Sequence, residues 1–447
     1  MTSITTLRNR RVRRWLLVLP ALLVAVTLTG PAAHGSSPGA AVNPVVLFPA
    51  YTYTRLRVSV TGQVTDPACP ATGRFEILAG TADTSAFSSI CQDELITLRY
   101  RRHSASPFAR RFSEQPGVTT SVPDYGSTRS APFYQPLYRT LERVGYVRDR
   151  SIRVAGYDFR LTPDQGGFLR RTMRLIEQTS RQNGGRPVHL VGHSNGPLYI
   201  QYLLTHVSAR WKQRYVHGFT ALAGNFPGQG VLYPVLFTGL DLTDFSFPTT
   251  RAKAISSARL LRTAPSTYMS AADPTIFGRR EVVVRDLSTG RSYTPADWRR
   301  LLADAQAPEL AEIAHQYIGF VKFSDRRHFP GVDVAAEKGS GLETVVGAAV
   351  PGLTAGSVVD PATDLLTRDG DVNQEDITND AVAVWAQDRR HRFSLTDNPG
   401  VNHFALPSDP GVLQRLIAAA AAPRSGEASS AGALRHEHRA SDIQNHA

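Results

Sequence analysis

Cysteine is scarce in this chain of 447 residues, which contains only Cys69 and Cys91. Neither cysteine has a second potential metal ligand at a suitable spacing in the sequence, and the histidines of "RRHF" and "RHEHRA" lack the spacing of zinc ligands. We therefore expect no metal site. The sequence also lacks an internal repeat and a stripe of interleaved aromatic and basic residues, so nothing in it supports a nucleic-acid partner.

Acidic residues are missing from positions 1–41, where five arginines precede an apolar run at 15–28 and small residues follow at 30–41. This layout predicts a signal peptide over residues 1–41, with an uncertain cleavage site, and a secreted or extracytoplasmic protein. A retained membrane anchor is the alternative, although a span needs roughly 20 apolar residues. Without this segment the formal net charge falls from +12 to about +7, so the mature chain is only mildly basic.

The two cysteines lie close together in the sequence, and an exported protein generally keeps such a pair oxidised. We therefore predict one disulfide between Cys69 and Cys91, which would close a loop of roughly twenty residues. Two free buried thiols are the alternative.

A serine stands between two glycines in "HLVGHSNGPLYIQYLL", residues 189–204, where an apolar strand gives way to an amphipathic helix. The strand pattern covers residues 187–191. Apolar residues then recur at helical spacing, at Ile200, Leu203, Leu204 and Val207. So sharp a turn needs small residues on both sides of its apex, and the pattern predicts a nucleophile elbow with Ser194 as the nucleophile. The helix that follows directs its N–H groups toward a developing oxyanion.

Strand and helix patterns alternate along most of the chain. In order, we predict a strand at 45–48, a strand at 95–100, a helix at 135–144, a strand at 152–155, a helix at 168–182, a strand at 216–223 and a helix at 410–422. The alternation predicts a mostly parallel sheet with helices on both faces. We assign residues 42–422 to one catalytic domain, with a loop-like disulfide segment at about 62–92 and a cap at about 231–340. Residues 423–447 are predicted to be a disordered tail.

A serine becomes an effective nucleophile when a histidine takes its proton and an acid orients that histidine. After an elbow of this kind, the acid and then the histidine follow in the chain. His403 fits because it lies far downstream, in a turn before the last predicted helix. His328 and His391 each follow two arginines, which would oppose a protonated imidazole. We therefore predict His403 as the base.

The candidate acids lie in "TRDGDVNQEDITNDAVAVW", which contains Asp369, Asp371, Glu375, Asp376 and Asp380. Asp371 follows a glycine that allows a tight turn, and the upstream run "LETVVGAAVPG" supplies a plausible strand. We predict Asp371 as the acid, with Asp376 as the alternative. A calcium loop is a rival interpretation, because Asp369, Asp371 and Asn373 match its first three ligand positions. Its sharp turn needs glycine, however, where this chain has Gln374.

Together these segments resemble the lecithin:cholesterol acyltransferase and lysosomal phospholipase/transacylase family of α/β hydrolases, over roughly residues 43–422. The matching blocks are "NPVVLFPAY", "GYVRDRSIRVAGYDFRLTP", the elbow "PVHLVGHSNGPLYIQYLL", the acid turn "DGD" and the histidine loop "VNHFAL". The cysteines, followed by "ITLRYRR", stand where the family closes its lipid-contacting loop. The resemblance implies an α/β-hydrolase fold with a triad of Ser194, Asp371 and His403.

The resemblance also implies that the backbone N–H groups of Tyr51 and Asn195 form the oxyanion hole. The chain departs from the family at Ala50, where the family usually has glycine. It has no tryptophan in the cysteine segment, which weakens the interfacial anchor of the relatives. After Ala223, "GNFPGQG" replaces a run of Ala-Pro-Trp-Gly-Gly type near the acyl pocket.

We therefore predict an exported serine acyl-ester hydrolase or acyltransferase that acts on lipids, with glycerophospholipids as the expected class. The expected partner is a lipid or membrane surface, and no cofactor is required. The alternative is a catalytically silent lipid-binding or surface protein on the same fold. The apolar cap segment "GVLYPVLFTGLDLTDFSF" is interpreted either as an element packed on the core or as a lid over the acyl site.

Overall fold

The computed structural model describes residues 42–62, 69–81, 85–101 and 112–425. The strands in these ranges are β1 Val45–Phe48, β2 Leu56–Thr61, β3 Thr72–Ile77, β4 Arg99–Tyr100, β5 Phe112–Ser113, β6 Val118–Ser121, β7 Ile152–Val154, β8 Val188–His193, β9 Val216–Leu222, β10 Val284–Asp286, β11 Ser292–Tyr293, β12 Val334–Ser340, β13 Leu342–Val350, β14 Leu365–Gly370 and β15 Phe393–Pro399. The α-helices are α1 Ser89–Ile96, α2 Gln135–Arg143, α3 Phe168–Gln182, α4 Gly196–His206, α5 Ala209–Tyr215, α6 Val235–Thr238, α7 Arg251–Thr263, α8 Pro265–Met269, α9 Pro274–Phe277, α10 Trp298–Asp304, α11 Pro308–Tyr317, α12 Asp376–Asp380 and α13 Pro410–Ala421. None of the helices in these ranges is long and apolar enough to cross a membrane.

Six parallel strands form the central sheet, in the order β15-β12-β9-β8-β1-β7. Successive side chains of a strand point to opposite faces of the sheet, and the alternate side chains of β1 pack in two different apolar clusters. Val46 and Phe48 pack in one apolar cluster with residues of α3 and α4. Val45 and Leu47 pack in another cluster with residues of α2 and α13. The predicted fold class, an α/β hydrolase with helices on both faces of a mostly parallel sheet, is confirmed.

The alternation of strands and helices breaks after β9, as predicted, but it resumes earlier than expected. The strand β12, Val334–Ser340, pairs in parallel with both β9 and β15. Residues 334–340 therefore belong to the central sheet, and the expected cap range of 231–340 extends too far. The pattern of one strand does not show which sheet it joins, because pairing is decided by contacts distant in sequence.

A second sheet has the strand order β11-β10-β13-β14, and its last strand ends directly before the acid turn. The run "LETVVGAAVPG" contains β13 of this sheet, and β13 does not lead into Asp371 as the sequence suggested. That position belongs to β14, which pairs antiparallel with β13 and ends at Gly370. A hairpin-like return thus separates the predicted strand from the acid.

The cysteine segment contains regular structure that its loop-like sequence did not predict. The strand β3 pairs antiparallel with β2, and the predicted disulfide between Cys69 and Cys91 is present. The helix α1 occupies the first part of the strand expected at 95–100, so that only Arg99–Tyr100 is extended. Residues 63–68 and 82–84 of this segment lie outside the described residues.

Contacts with a distant helix explain why α1 is helical. The Ser88 side chain caps α1 by accepting a hydrogen bond from the Cys91 N–H. The buried Asp93 carboxylate of α1 accepts hydrogen bonds from three side chains of α7: Lys253 at 2.7 Å, Ser256 at 2.9 Å and Ser257 at 2.9 Å. These tertiary contacts override the weak strand pattern of the same residues.

The predicted terminal segments fall mostly outside the described residues. This holds for the signal peptide expected at 1–41 and for residues 426–447 of the expected tail. The first tail residues are anchored: Arg424 donates to the Gln213 carbonyl at 2.6 Å, and the Ser425 hydroxyl donates to Asp333 at 2.5 Å. The predicted disorder therefore does not extend to residues 423–425.

A pair of buried histidines joins β8, β9 and the end of α13. The His217 Nε2 atom lies 2.8 Å from the Ala422 carbonyl oxygen, which can only accept, so His217 Nε2 carries a proton. In the neutral ring, His217 Nδ1 therefore accepts from His189 Nδ1 at 3.2 Å. The remaining nitrogen, His189 Nε2, accepts from the Thr220 hydroxyl at 2.7 Å. Burial, followed by the neighbouring His217, lowers the pKa of His189 to about 3.

We expect the free energy of unfolding to fall as the pH is lowered from about 6.5 toward 3. The folded-state pKa of His189 lies below its unfolded value, so the unfolded chain binds the additional proton in this window. Between pH 7 and pH 4.5 this histidine alone should cost about 2–3 kcal/mol. Chemical denaturation at several pH values, applied to the parent and to His189→Gln, measures the effect.

In this experiment His189→Gln should flatten the dependence of the unfolding free energy on pH, whatever its stability at pH 7. The exposed His206, replaced in His206→Gln, serves as the matched control and should leave the slope unchanged. Equal slopes in all three proteins would refute the assignment of a buried neutral His189.

Candidate active site

The predicted nucleophile lies in a tight turn between β8 and α4. Ser194 has a φ of 59°, in the left-handed region that residues other than glycine rarely adopt. A Cβ atom at Gly192 would lie 2.7 Å from the Pro197 nitrogen, and one at Gly196 would lie 2.1 Å from the Phe48 carbonyl oxygen. Both glycines of the G-x-S-x-G pattern are therefore sterically required, and the turn presents Ser194 at the wall of a cavity.

Asp371 and His403 are brought into direct contact across 32 residues of sequence. His403 Nδ1 lies 3.0 Å from Asp371 Oδ2, and the His403 backbone N–H donates to the Asp371 carbonyl at 2.7 Å. Asp371 Oδ1 accepts the backbone N–H groups of Asn373 at 3.1 Å and of Gln374 at 2.6 Å. Both side chains are almost fully buried, with exposures of 1% for His403 and 0% for Asp371. The carboxylate therefore holds the proton on Nδ1 and leaves the lone pair on Nε2.

The lone pair of His403 Nε2 faces Asn373, which sequence analysis had considered only as a calcium ligand. Asn373 Nδ2 lies 3.3 Å from Nε2 and is positioned to donate to it. Ser194, Asn373 and His403 line the same cavity. In the described part of the chain, no hydrogen bond joins the Ser194 hydroxyl to His403. For a proton to pass from the Ser194 hydroxyl to His403 Nε2, the Asn373 amide must move away from Nε2.

The two backbone N–H groups predicted as oxyanion donors belong to residues that line the cavity. Tyr51 and Asn195 both line the cavity, and neither backbone N–H has a hydrogen-bond partner among the residues that the structure describes. Ala50 stands where the resembling family has glycine, but its φ is not positive, so an L-residue fits without strain. Its N–H donates to the Tyr134 hydroxyl at 2.8 Å. Alanine is therefore accommodated at position 50 without backbone strain.

A chain of hydrogen bonds connects the loop at Ala50, the elbow and the histidine loop. His193 Nε2 lies 2.9 Å from the His403 carbonyl oxygen and must donate to it, so His193 Nδ1 accepts from the Tyr134 hydroxyl at 3.0 Å. Burial lowers the pKa of His193 well below the usual histidine range and raises the pKa of Tyr134 well above the usual tyrosine range. Both groups are thus neutral. Sequence analysis missed them, although position 193, directly before the nucleophile, was available as a signal.

The block "GYDFR" supports the same loop from the other side. The Tyr157 hydroxyl donates to the Pro49 carbonyl at 2.5 Å, and its ring stacks on Tyr199 with centroids 3.7 Å apart. Arg160 is buried, and its guanidinium contacts Asp158 at 2.6 Å and the Ile96 carbonyl at 2.8 Å. This block therefore links the loop after β1 to the cysteine segment through buried polar contacts.

The alternative acids do not contact His403 within the described residues. Asp380 instead pairs with Lys338 at 2.6 Å, and burial raises the pKa of Asp376. Burial and the neighbouring Glu281 raise the pKa of Glu375 to about 9. Over the described ranges, no group of three or more His, Cys, Asp or Glu side chains is arranged to hold a metal ion, so the calcium interpretation gains no ligand set there.

The two rival histidines lie away from the cavity and beside carboxylates. His328 Nδ1 is 3.9 Å from Asp325, and His391 Nδ1 is 3.9 Å from Asp333. Neither lines the cavity that contains Ser194 and His403. Of the three histidines weighed from the sequence, the structure brings His403 alone to the elbow.

A cavity of about 340 Å³ lies beside the elbow, and its wall is mainly apolar. The aliphatic part of this wall includes Val231, Leu232, Val235, Leu240, Leu261 and Val345. The apolar cap segment 230–247 supplies several of these residues and also packs in the core. Phe245, with a φ of 61°, stacks its ring near Tyr53 at 6.2 Å and near Phe404 at 5.9 Å between centroids. The segment thus bridges the loop after β1 and the histidine loop.

Comparison with known proteins finds several that are similar to this chain. A family model for lecithin:cholesterol acyltransferase matches residues 120–269. Lecithin-cholesterol acyltransferase-like 1 of Oryza sativa is 29% identical over 420 residues, covering 89% of this chain and 90% of that protein. Lysosomal phospholipase A and acyltransferase of Mus musculus is 27% identical over 341 residues, covering 73% and 77%. Among solved structures, the Tle4-Tli4 complex covers 85% of this chain and 97% of its own, with 11% identity and a TM-score of 0.44.

Fold and site define an α/β hydrolase with a serine at its elbow. The matched region 120–269 contains the "GYDFR" block and the elbow, the two segments that carry the resemblance most specifically. The resemblance inferred from the motifs is confirmed: the family model for lecithin:cholesterol acyltransferase matches this region, and the chain is similar over most of its length to lecithin-cholesterol acyltransferase-like and lysosomal phospholipase proteins.

Proposed function

We propose that the protein is an exported enzyme that cleaves lipid acyl esters, or transfers their acyl groups, through Ser194, His403 and Asp371. The observation that carries this proposal is the buried Asp371–His403 pair at the cavity that also contains the positive-φ Ser194. Such an arrangement is costly to hold, because the serine backbone is strained and a carboxylate is fully buried. Strain and burial of this kind are typical of catalytic sites.

In the proposed reaction the Ser194 oxygen attacks the ester carbonyl carbon while its proton passes to His403 Nε2. Asp371 stabilises the resulting imidazolium through the Nδ1–H bond, and the N–H groups of Tyr51 and Asn195 stabilise the oxyanion. The bond between the carbonyl carbon and the leaving alcohol then breaks, and His403 returns the proton to that alcohol. Water or an alcohol then attacks the acyl carbon of the acyl-enzyme while His403 takes its proton. The bond between the acyl carbon and the Ser194 oxygen breaks, His403 returns the proton to Ser194, and a fatty acid or a new ester is released. These steps require no cofactor.

A lipid substrate is supported by the shape and chemistry of the cavity. Its apolar wall suits an acyl chain, and the polar groups are concentrated beside Ser194. The relatives named above are titled a lecithin-cholesterol acyltransferase-like protein and a lysosomal phospholipase A and acyltransferase, which favours glycerophospholipids as acyl donors. Export is supported by the arginine-rich and apolar N-terminal segment together with the Cys69–Cys91 disulfide.

Labelling with a serine-directed phosphonate tests this proposal against the catalytically silent alternative. The mature protein should gain one covalent adduct, which peptide mass spectrometry should locate at Ser194. A folded protein that neither takes the label nor hydrolyses any lipid ester would favour a lipid-binding protein on the same fold.

We expect hydrolysis of a long-chain phospholipid to rise several-fold when the substrate passes from monomers to vesicles. The segment 230–247 would act as a lid, because its Phe245 lines the cavity and packs its ring near those of Tyr53 and Phe404. Anionic lipid should raise the rate further, since the mature chain is basic, and added salt should remove that increment. Initial rates measured across the aggregation threshold of the substrate provide the test.

Two variants separate a lid from a passive cap in this assay. Phe245→Ala removes the ring contacts with Tyr53 and Phe404 at the cavity and should reduce the ratio of vesicle to monomer rates. Val144→Ala removes an exposed apolar side chain that does not line the cavity and should leave the ratio unchanged. Smooth saturation with soluble esters and no response to vesicles would refute the lid. A new ester formed with an added long-chain alcohol would identify acyl transfer.

A further inference from the structure

Two asparagines form a polar patch beside Ser194 in the otherwise apolar cavity. Asn195 follows the nucleophile directly, and the Asn225 backbone N–H donates to the Ser194 carbonyl at 3.0 Å. The Asn225 Nδ2 atom donates to Asn195 Oδ1 at 3.0 Å, and the Ser270 hydroxyl donates to the same oxygen at 2.9 Å. All three residues line the cavity. The patch is therefore attached to the elbow itself.

The two amides leave one donor and one acceptor without a protein partner. Asn195 and Asn225 each expose only 2% of their surface, and Asn195 Nδ2 and Asn225 Oδ1 have no hydrogen bond among the described residues. Exchanging oxygen and nitrogen in both amides does not alter this result, since one N–H and one oxygen remain unpaired. A buried polar group without a partner costs about 1–3 kcal/mol. Two such groups, on asparagines that are hydrogen-bonded to each other and line the cavity, indicate a ligand that satisfies both.

The backbone holds this patch rigidly. The Gln229 N–H donates to the Ser270 carbonyl at 2.8 Å, and the Ala272 N–H donates to the Gln229 carbonyl at 3.0 Å. A Cβ atom at Gly228 would lie 2.1 Å from the Ala271 carbonyl oxygen, so the two segments are in close contact. This contact explains a glycine in "GNFPGQG", the run in which the sequence departs from its family. The patch is thus preorganised by the loop after β9.

We propose that Asn195 and Asn225 form a subsite for a neutral hydroxyl group next to the scissile ester, an inference that rests on the proposed function. A hydroxyl donates one hydrogen bond and accepts others, which matches one free amide oxygen and one free N–H. An anionic group is disfavoured because neither lysine nor arginine is found among the described residues that line the cavity. The hydroxyl belongs either to the acyl chain, close to its carbonyl, or to the alcohol that accepts the acyl group.

The experiment compares two ratios in the parent and in Asn225→Ala. The first is kcat/KM for a 2-hydroxyhexadecanoyl ester divided by kcat/KM for the hexadecanoyl ester of the same alcohol, both in the same micelles. The second is the rate of acyl transfer to hexadecanol divided by the rate of hydrolysis, with the unhydroxylated donor. We expect Asn225→Ala to lower one of these ratios by about 10-fold or more. A site built to hydrogen-bond a hydroxyl group strongly favours the ligand that has this hydroxyl over one that lacks it, and the variant loses that preference. A fall in the first ratio assigns the hydroxyl to the acyl chain, and a fall in the second assigns it to the acceptor.

Two further variants keep the test decisive. Asn195→Leu retains the backbone N–H and should lower the same ratio, which covers the case that Asn225→Ala fails to fold. Leu240→Ala alters the apolar wall of the cavity and should change both members of each ratio alike. If both ratios stay within about twofold of the parent in both asparagine variants, the subsite is refuted. If the parent cleaves neither ester and takes no phosphonate label, it is the proposed function that fails.

Discussion

Replacement of Ser194 by alanine is expected to reduce lipid esterase activity to below about 1% of the parent, since loss of a triad nucleophile typically costs several orders of magnitude. The residue occupies a strained backbone position at the cavity wall, and the elbow offers no second hydroxyl. Alanine tolerates the positive φ about as poorly as serine, so the fold should be retained. Initial rates on a phospholipid in vesicles, together with the yield of phosphonate adduct, measure the loss.

The exposed Ser408 provides a matched control, and Ser408→Ala should keep both the activity and the label. Thermal unfolding of Ser194→Ala and the parent should show similar midpoints. A folded Ser194→Ala protein that retains more than about 1% of the activity would remove Ser194 from the mechanism while leaving the fold unaffected.

Asp371→Asn should lower kcat by roughly 10³–10⁴-fold, as expected when the partner of the proposed catalytic histidine loses its charge. The Asp371 carboxylate contacts His403 Nδ1 at 3.0 Å and is held by two backbone N–H groups. An amide at this position can donate to Nδ1, which would place the histidine proton on Nε2 and block its action as a base. Steady-state rates of one ester substrate over a range of pH measure the change.

Asp376→Asn and Asp380→Asn are the controls, because they change equivalent side chains in the same segment. Both should retain most of the activity, since neither residue contacts His403 in the described chain. An almost normal Asp371→Asn beside an inactive Asp376→Asn would overturn the assignment of the acid. Activity that disappears with a chelator and returns with calcium would revive the calcium interpretation.

Local geometry explains how far the sequence could be interpreted by itself. The elbow was predictable because Gly192 and Gly196 are required by contacts within a few residues of Ser194 and with the neighbouring strand. The bounds of α3 and β1 were predictable from spacing, since their buried residues repeat at helical or extended periods. His403 was predictable from its order in the chain and from the helix that follows it.

Contacts between distant segments decided what the sequence left open. Among five carboxylates in one short segment, the sequence favoured Asp371 only through the preceding glycine and an upstream strand. Its contact with His403 joins residues that are 32 positions apart and is therefore a property of the tertiary structure. Asn373 at Nε2 follows from the same folding of the turn.

The sequence alone determined the class of the fold, the candidate nucleophile and the cysteine pair, because each depends on residues that are neighbours in the chain or few in number. Tertiary structure alone decided the end of the cap at β12, the helical state of α1 and the Tyr134–His193 link. These features depend on contacts between residues that lie tens to hundreds of positions apart in the chain. Local sequence patterns do not predict such contacts. The polar patch of Asn195 and Asn225 belongs to this second group, since its two unpaired atoms are defined only by what surrounds them.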